Sequence, residues 1–220
     1  MSNIETVRLI LKLMGEDESS GAALQSVKTS GCSNCFCGKL VHCVENWGQA
    51  MNAPHLDVFN AAVGPVLKLL PASMTSVRAT RIMWAIGRQE SRMVNRYQKT
   101  NDPYTKGPAR GLWQFERGGG VRGVLSHPAT RGLALKVCAA RQVIPTSDVV
   151  HSRLEFDDVP AAAFARLLLY SDPRPLPGLD AAPAITWDYY ISNWRPGKPH
   201  RKTWDEFHNE AVQLFQEVKL

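Results

Sequence analysis

The chain has 220 residues, 44% of them hydrophobic, which suits one large domain or a full domain with a modest extension and excludes wholesale disorder. No run approaches the roughly 20 apolar residues of a membrane-spanning helix, so no transmembrane segment is expected. The formal charge of +6 is uneven, with 13 Lys or Arg against 3 Asp or Glu in residues 78–141, a balance that favours a polyanionic partner.

In chain order, residues 4–14 read as an amphipathic helix. Glu5, Arg8 and Lys12 interrupt its apolar stretch, which makes it a poor secretory signal and points to synthesis in a reducing cytosol without export by the usual route. A polar, Gly/Ser-rich stretch over 15–31 leads to Cys32-x2-Cys35-x-Cys37-x5-Cys43, with His42 beside it. Cys32 and Cys35 have zinc-hairpin spacing, and Cys37 with Cys43 or His42 completes four ligands for a structural zinc. Disulfides and reduced thiols are the alternatives, and cytosolic synthesis weighs against the disulfides. Helices near 41–52 and 55–70 follow, the second ending around Pro71. Residues 1–75 thus read as a small helical extension, and 76–220 as a separate domain.

The segment 78–96 has helical periodicity. Wound at about 100° per residue, it places Ala79, Ile82, Met83, Ile86 and Met93 on one side, with Glu90 among them. Arg78, Arg81, Arg88, Arg92 and Arg96 gather opposite, on what reads as a solvated face. A carboxylate amid apolar neighbours loses hydration and holds its proton more tightly. A glutamate raised in this way can act as a general acid near neutral pH. The bland alternative is a Glu paired with a core Arg or capping a neighbouring element.

Residues 101–130 are punctuated by Gly and Pro, with short strands conceivable only within 104–125 and a turn at Gly118-Gly119-Gly120. Helices are expected over 129–142, over 159–170 with Pro160 in the first turn, and over 180–192. Loops separate them at 172–178 and 194–199. Thr203 and Glu206 form a capping-box signature for a last helix, whose Phe207, Ala211, Leu214, Phe215 and Val218 share a face. Cys138 reads as a buried apolar residue. His55, His127, His151, His200 and His208 share no ligand spacing. The fold class is mainly α with at most a few short strands.

Two blocks of the second domain carry a resemblance. Ile86-Gly87-Arg88-Gln89-Glu90-Ser91 is followed by Gly107-Pro108-Ala109-Arg110-Gly111-Leu112-Trp113-Gln114-Phe115. In this order they resemble the soluble lytic transglycosylase family of the lysozyme-like superfamily, which carries a Glu-Ser pair at a helix end and then Gly-Ala-x-Gly-Leu-Met-Gln-Ile. Here Trp113 replaces Met, Phe115 replaces Ile, Pro108 is added, and the gap between the blocks is longer, the excess lying in 97–106. The resemblance implies a lysozyme-like catalytic domain. It also implies peptidoglycan as substrate, Glu90 as the catalytic residue, and Ser91, Gly111, Leu112, Trp113 and Gln114 near the glycan. Gly111 permits positive φ or close backbone approach, and the Gln114 amide both donates and accepts hydrogen bonds, as sugar hydroxyls and acetamido groups require. Trp113 can face a sugar ring or the core; Phe115 reads as core. The family's Tyr-Asn pair has loose counterparts in Tyr190 (preferred over Tyr189) and Asn193.

Ordinary glycosidases use two carboxyl groups. The resemblance implies that one suffices: Glu90 protonates the glycosidic oxygen, then acts as base while the substrate's 6-hydroxyl closes a 1,6-anhydro ring. The nearest other acids are Asp102, which reads as a turn former before Pro103, and Glu116, which can reach sugar or water or pair with Arg117 or Arg122. Scarcity of acids favours the one-carboxylate route; a hydrolytic, goose-type lysozyme outcome is the alternative. No catalytic cofactor is expected. The bacterial wall, rich in carboxylates and anionic polymers, is the favoured polyanion, and nucleic acid is disfavoured because no nucleic-acid module is visible. A wall-degrading enzyme without an export signal implies a bacteriophage protein, made in the host cytoplasm and acting in the periplasm. It is packaged in the virion or released at lysis, with the extension attached to other virion or tail proteins. The competing class is a non-catalytic structural virion protein that keeps a lysozyme-like fold.

Overall fold

The computed structural model describes residues 55–215. The helices expected at 4–14 and 41–52 and the cluster Cys32, Cys35, Cys37 and Cys43 lie outside the described residues. The described part is mainly helical, with eight α-helices and one small three-stranded sheet among these residues.

Helix α1 (Leu56–Leu69) buries Phe59, Ala62, Val63 and Val66, the spacing of one helical face. Asp57 in its first turn and Lys68 in its last suit the helix dipole. It packs on α6 (Asp158–Ser171), and its buried residues share one core with Trp84, Leu112, Trp113 and Phe164. The division drawn at 75/76 therefore cuts through a single core: α1 belongs to the same packed unit as the helices on the far side of that boundary.

Helix α2 (Val77–Ser91) starts at Ser76, whose hydroxyl accepts from the Ala79 N–H at 3.1 Å. It stops five residues before the expected Arg96, because Arg92 and Met93 both take left-handed backbone angles, φ 58° and 57°. Ser91 Oγ donates to the Gly87 carbonyl and accepts from the Met93 N–H, each at 3.1 Å. The chain folds so tightly there that a Cβ on Gly87 would meet the Met93 sulfur at 2.5 Å. The arginine face is not simply solvated. Helix α8 (Trp204–Leu214) packs along α2. Arg88 pairs with Glu210 at 2.9 Å, and Arg81 donates to the carbonyls of Phe215 and Leu179.

Strands β1 (Tyr97–Lys99), β2 (Lys106–Arg110) and β3 (Phe115–Glu116) form an antiparallel sheet in that order, with Tyr97 opposite Arg110 and Ala109 opposite Glu116. Asp102 makes the turn between β1 and β2, accepting from the Tyr104 N–H at 3.0 Å and from the Thr105 hydroxyl. A wide turn over Arg117–Val121 leads through α3 (Arg122–Ser126), α4 (Arg131–Ala140) and α5 (Ser147–Leu154) to α6. Helix α6 is apolar nearly all round and runs through the middle of the core: Ala161–Ala163, Phe164, Ala165 and Leu167 are fully buried. Cys138 of α4 is buried, as the sequence implies, and burial raises its thiol pKa.

Helix α7 (Pro183–Trp194) and α8 close the structure. The capping box expected at Thr203 and Glu206 does not form. A 3₁₀ turn over Arg201–Thr203 runs straight into α8, so the Arg201 carbonyl receives the Trp204 N–H. The Thr203 hydroxyl is freed to donate to Gln89 Oε1 of α2 at 3.0 Å.

Candidate active site

Glu90 occupies the last turn of α2, where the apolar face of that helix meets α7. It is half-buried. Its Oε1 accepts a hydrogen bond of 2.6 Å from the Tyr190 hydroxyl. Among the described residues it forms no ion pair. Burial pushes the Glu90 carboxyl from its ordinary 4.5 up to about 7. The Tyr190 hydrogen bond works against that rise, and the negative charge of Glu116 adds a smaller lift. The carboxyl is thus half protonated near neutral pH, which lets one group give a proton and take one back.

Tyr190 is held on three sides by indole rings. It stacks on Trp204 of α8, centroids 4.9 Å apart and planes at 13°, with Trp187 at 5.4 Å and Trp194 at 6.4 Å. Trp187, Tyr190 and Trp194 recur at i, i+3 and i+7, so one stripe of α7 supplies them. Burial raises the Tyr190 phenol pKa, and the neighbouring Glu90 raises it further, so the hydroxyl stays a donor. The Trp194 indole N–H donates to the Trp113 carbonyl at 2.9 Å, tying α7 to the block that carries Gln114. Sequence reading singles out Tyr190 and explains the aromatic clustering of Trp187–Trp194 equally by packing of the last two helices, and Tyr190 does stack on Trp204 of α8.

The other nominated residues fall into different places. Leu112 and Trp113 are fully buried, and the Trp113 indole donates to the Met83 carbonyl at 2.9 Å. Trp113 is core, and neither side chain can touch a ligand in this conformation. Phe115 is core as expected. Ser91 is buried and its hydroxyl closes the last turn of α2, so it has a structural task. Gly111 is at φ 76°, and a Cβ there would stand 2.9 Å from the Leu154 carbonyl and 3.2 Å from the Ala161 methyl. Its requirement comes from helix packing, not from close approach of a sugar.

Gln114 is half-buried at φ 48°. Its Nε2 donates to the carbonyls of Asn95 at 3.0 Å and Gly111 at 2.9 Å. The amide nitrogen therefore fixes the turn, and Oε1 has no donor among the described residues. Asn193 is directed elsewhere: its Nδ2 donates to Asp172 Oδ2 at 2.8 Å and to the Tyr189 carbonyl at 2.9 Å. Asp172 also binds Arg174, which holds its carboxyl down at about 2. Tyr189 donates to the Leu169 carbonyl. Of the residues nominated from sequence, the fold joins Glu90 and Tyr190 directly.

Glu116 is exposed on β3 and forms no ion pair among the described residues, because Arg117 goes to Asp148 at 2.6 Å instead. The basic excess of residues 78–141 is also partly internal. Arg88, Arg96, Lys106, Arg110, Arg117 and Arg141 all pair with acids from 148 onward. This reduces the charge left for a polyanion. Among the described residues no His, Cys, Asp and Glu cluster is arranged to hold a metal ion, and no helix is long and apolar enough to cross a membrane. No protein-family model, curated protein or solved structure matches the chain.

Proposed function

We propose that the chain cleaves the glycan strand of peptidoglycan as a lytic transglycosylase, on a lysozyme-like domain, with Glu90 as the single acid and base. The observation that carries this reading is the half-buried Glu90 carboxyl, poised at about 7 and oriented by the Tyr190 hydroxyl at 2.6 Å. The protonated carboxyl gives its proton to the oxygen of the β-1,4 bond between MurNAc and GlcNAc. The C1–O bond breaks, the GlcNAc side leaves as an alcohol, and positive charge develops on the MurNAc ring. The Glu90 carboxylate then removes the proton of the 6-hydroxyl as O6 bonds to C1. The product is a 1,6-anhydro sugar, and Glu90 regains its proton. Tyr190 is a positioning residue: it holds one carboxyl oxygen so that the other can face the glycan.

A hydrolytic outcome is the second reading, and Glu116 is the residue that favours it. Its exposed carboxylate lies close enough to bear on Glu90, and a second carboxylate is the group a water-activating route uses. In either case a bacteriophage enzyme that attacks the host wall, packaged in the virion or released at lysis, is the setting in which we place the activity. Zymography on peptidoglycan gels tests the reading. Wild type should clear the gel, and Glu90→Gln should lose at least about 100-fold in activity. Equal clearing by both would remove Glu90 from the chemistry, and no clearing by wild type would favour a structural virion protein. Mass spectrometry of released fragments separates the two outcomes, since anhydro sugars form only by transglycosylation.

A further inference from the structure

Residues 195–202, which lead from the end of α7 towards α8, hold four Lys or Arg and no Asp or Glu. Both ends of this loop are fastened to the elements of the candidate site. At one end the Trp194 indole donates to the Trp113 carbonyl at 2.9 Å, one position before Gln114. At the other end Gln89, the neighbour of Glu90 in α2, takes hold. Its Nε2 donates to the His200 carbonyl at 2.9 Å, and its Oε1 accepts from the Thr203 hydroxyl at 3.0 Å. Between these anchors Pro196 and Pro199 restrict the backbone, and Arg195 turns the chain out of α7 with a left-handed φ of 49°.

The charge of the loop is mostly unanswered. Arg201 pairs with Asp205 of α8 and lies over the Trp187 ring, 5.5 Å from its centroid. Arg195, Lys198 and Lys202 are exposed, and no acid among the described residues pairs with them. Of the other acids on α7 and α8, Glu210 is held by Arg88, and Asp188 and Glu206 form no ion pair among the described residues. Arg195 Nε donates to the Ser192 carbonyl at 3.3 Å, a neutral acceptor. The cations of 78–141 that pair with later acids are spent inside the fold; these three are not. A solvated lysine by itself needs no partner. Three of them and their kind within eight residues, on a loop tied to both Gln89 and the Gln114 block, set up a positive field beside Glu90.

We infer that this loop receives the carboxylates of the peptides carried by the glycan strand, through Arg195, Lys198 and Lys202. The inference rests on the reading of Glu90 as a glycan-cleaving acid and names the substrate form that the same site prefers: strands that still bear charged peptides. The contacts are solvent-exposed ion pairs, so each contributes little and all weaken with salt.

The test uses the full chain and peptidoglycan sacculi free of phosphate polymers, either native or with their peptide carboxylates converted to amides by carbodiimide and ammonia. Wild type should cleave the native form about fivefold faster at low salt, and high salt should erase the preference. Arg195→Gln, Lys198→Gln and Lys202→Gln combined should bring the two rates together. Equal rates for wild type, a preference that survives in the variant, or an equal fall of the variant on both forms overturns the site. Recovery of the fast rate on amidated sacculi that carry phosphate polymers overturns the choice of carboxylate. If wild type cleaves neither form, the reading of Glu90 fails and co-sedimentation judges the loop by binding alone. Weaker sedimentation of the variant with native sacculi then supports it, and equal sedimentation overturns it.

Discussion

Two glutamates in different parts of the molecule, one buried and one half-buried, have opposite surroundings. Glu155, at the end of α5, is 8% exposed and lies between Lys106 and Arg110, the latter at 3.0 Å. Glu90, at the end of α2, has the Tyr190 phenol, itself packed against indole rings, but no paired cation among the described residues. Both sit at helix ends and both come from otherwise ordinary amphipathic segments. The difference is the counter-charge. Where two cations are supplied, the carboxylate is a rivet between the β-sheet and α5; where none is supplied, burial outweighs the opposing Tyr190 hydrogen bond and the group becomes a titrating acid. The raised Glu90 carboxyl thus reflects burial in the absence of a paired cation.

The largest effects that would break this comparison come from neutralising Glu90. Besides the loss of activity, Glu90→Gln should change how stability depends on pH. The folded-state pKa of about 7 lies above the ordinary 4.5, so the folded protein binds the proton more tightly than the unfolded chain. Stability is then fully present below 4.5, falls as pH rises towards 7, and is lost by at most about 3 kcal/mol above that. Glu90→Gln should therefore melt higher than wild type at pH 8 and about equally at pH 4, as scanning calorimetry would read. A wild type that lost no stability between those values, relative to the variant, would mean Glu90 is not held protonated.

Glu155→Gln should do the reverse. It leaves Lys106 and Arg110 without their partner, and because Lys106 is 46% exposed on its side chain the cost is about 1–3 kcal/mol. Denaturant unfolding should show the loss while the activity per folded molecule stays unchanged. Tyr190→Phe removes the hydrogen bond that favours the ionised form of Glu90. The alkaline limb of the rate against pH should move upward and the rate fall by about tenfold through lost orientation. Smallest is Glu116→Gln, which removes a charge that favours the protonated form, so the same limb should move downward. If it stayed in place, Glu116 would not bear on Glu90 in the folded protein.

Much of the helical frame is legible in the sequence because it depends on local periodicity. The helices expected at 55–70, 129–142, 159–170 and 180–192 are present within a few residues of those bounds. Helix α5 is not legible in this way. Its start carries ordinary signals, with Thr146 accepting from the Val149 N–H and Asp148 in the first turn, but it buries only Val150 and Leu154, too few to establish a period. The early end of α2 is hidden for another reason: left-handed Arg92 and Met93 carry none of the glycine that usually marks such a stop.

The site divides in the same way. Glu90 can be found from its place on an apolar face, a local property. The fate of the arginine face cannot, since Glu210, which pairs with Arg88, lies 122 positions away. Trp113 illustrates the limit of a short motif. Gly-Leu-x-Gln fixes the turn and the left-handed Gln114, but whether the intervening ring faces a sugar or the core depends on the Met83 carbonyl, which only the folded chain brings to it.

The anchor of Glu90 has a consequence for the order in which the molecule is built. Tyr190 follows the glutamate by 100 positions, and the ring it leans on, Trp204, comes later still. A ribosome that has released α2 and the sheet has made the acid but not its holder. Glu90 lacks its supported hydrogen-bond donor until α8 emerges and docks, so truncation before Trp204 should leave a polypeptide with its glutamate unaligned.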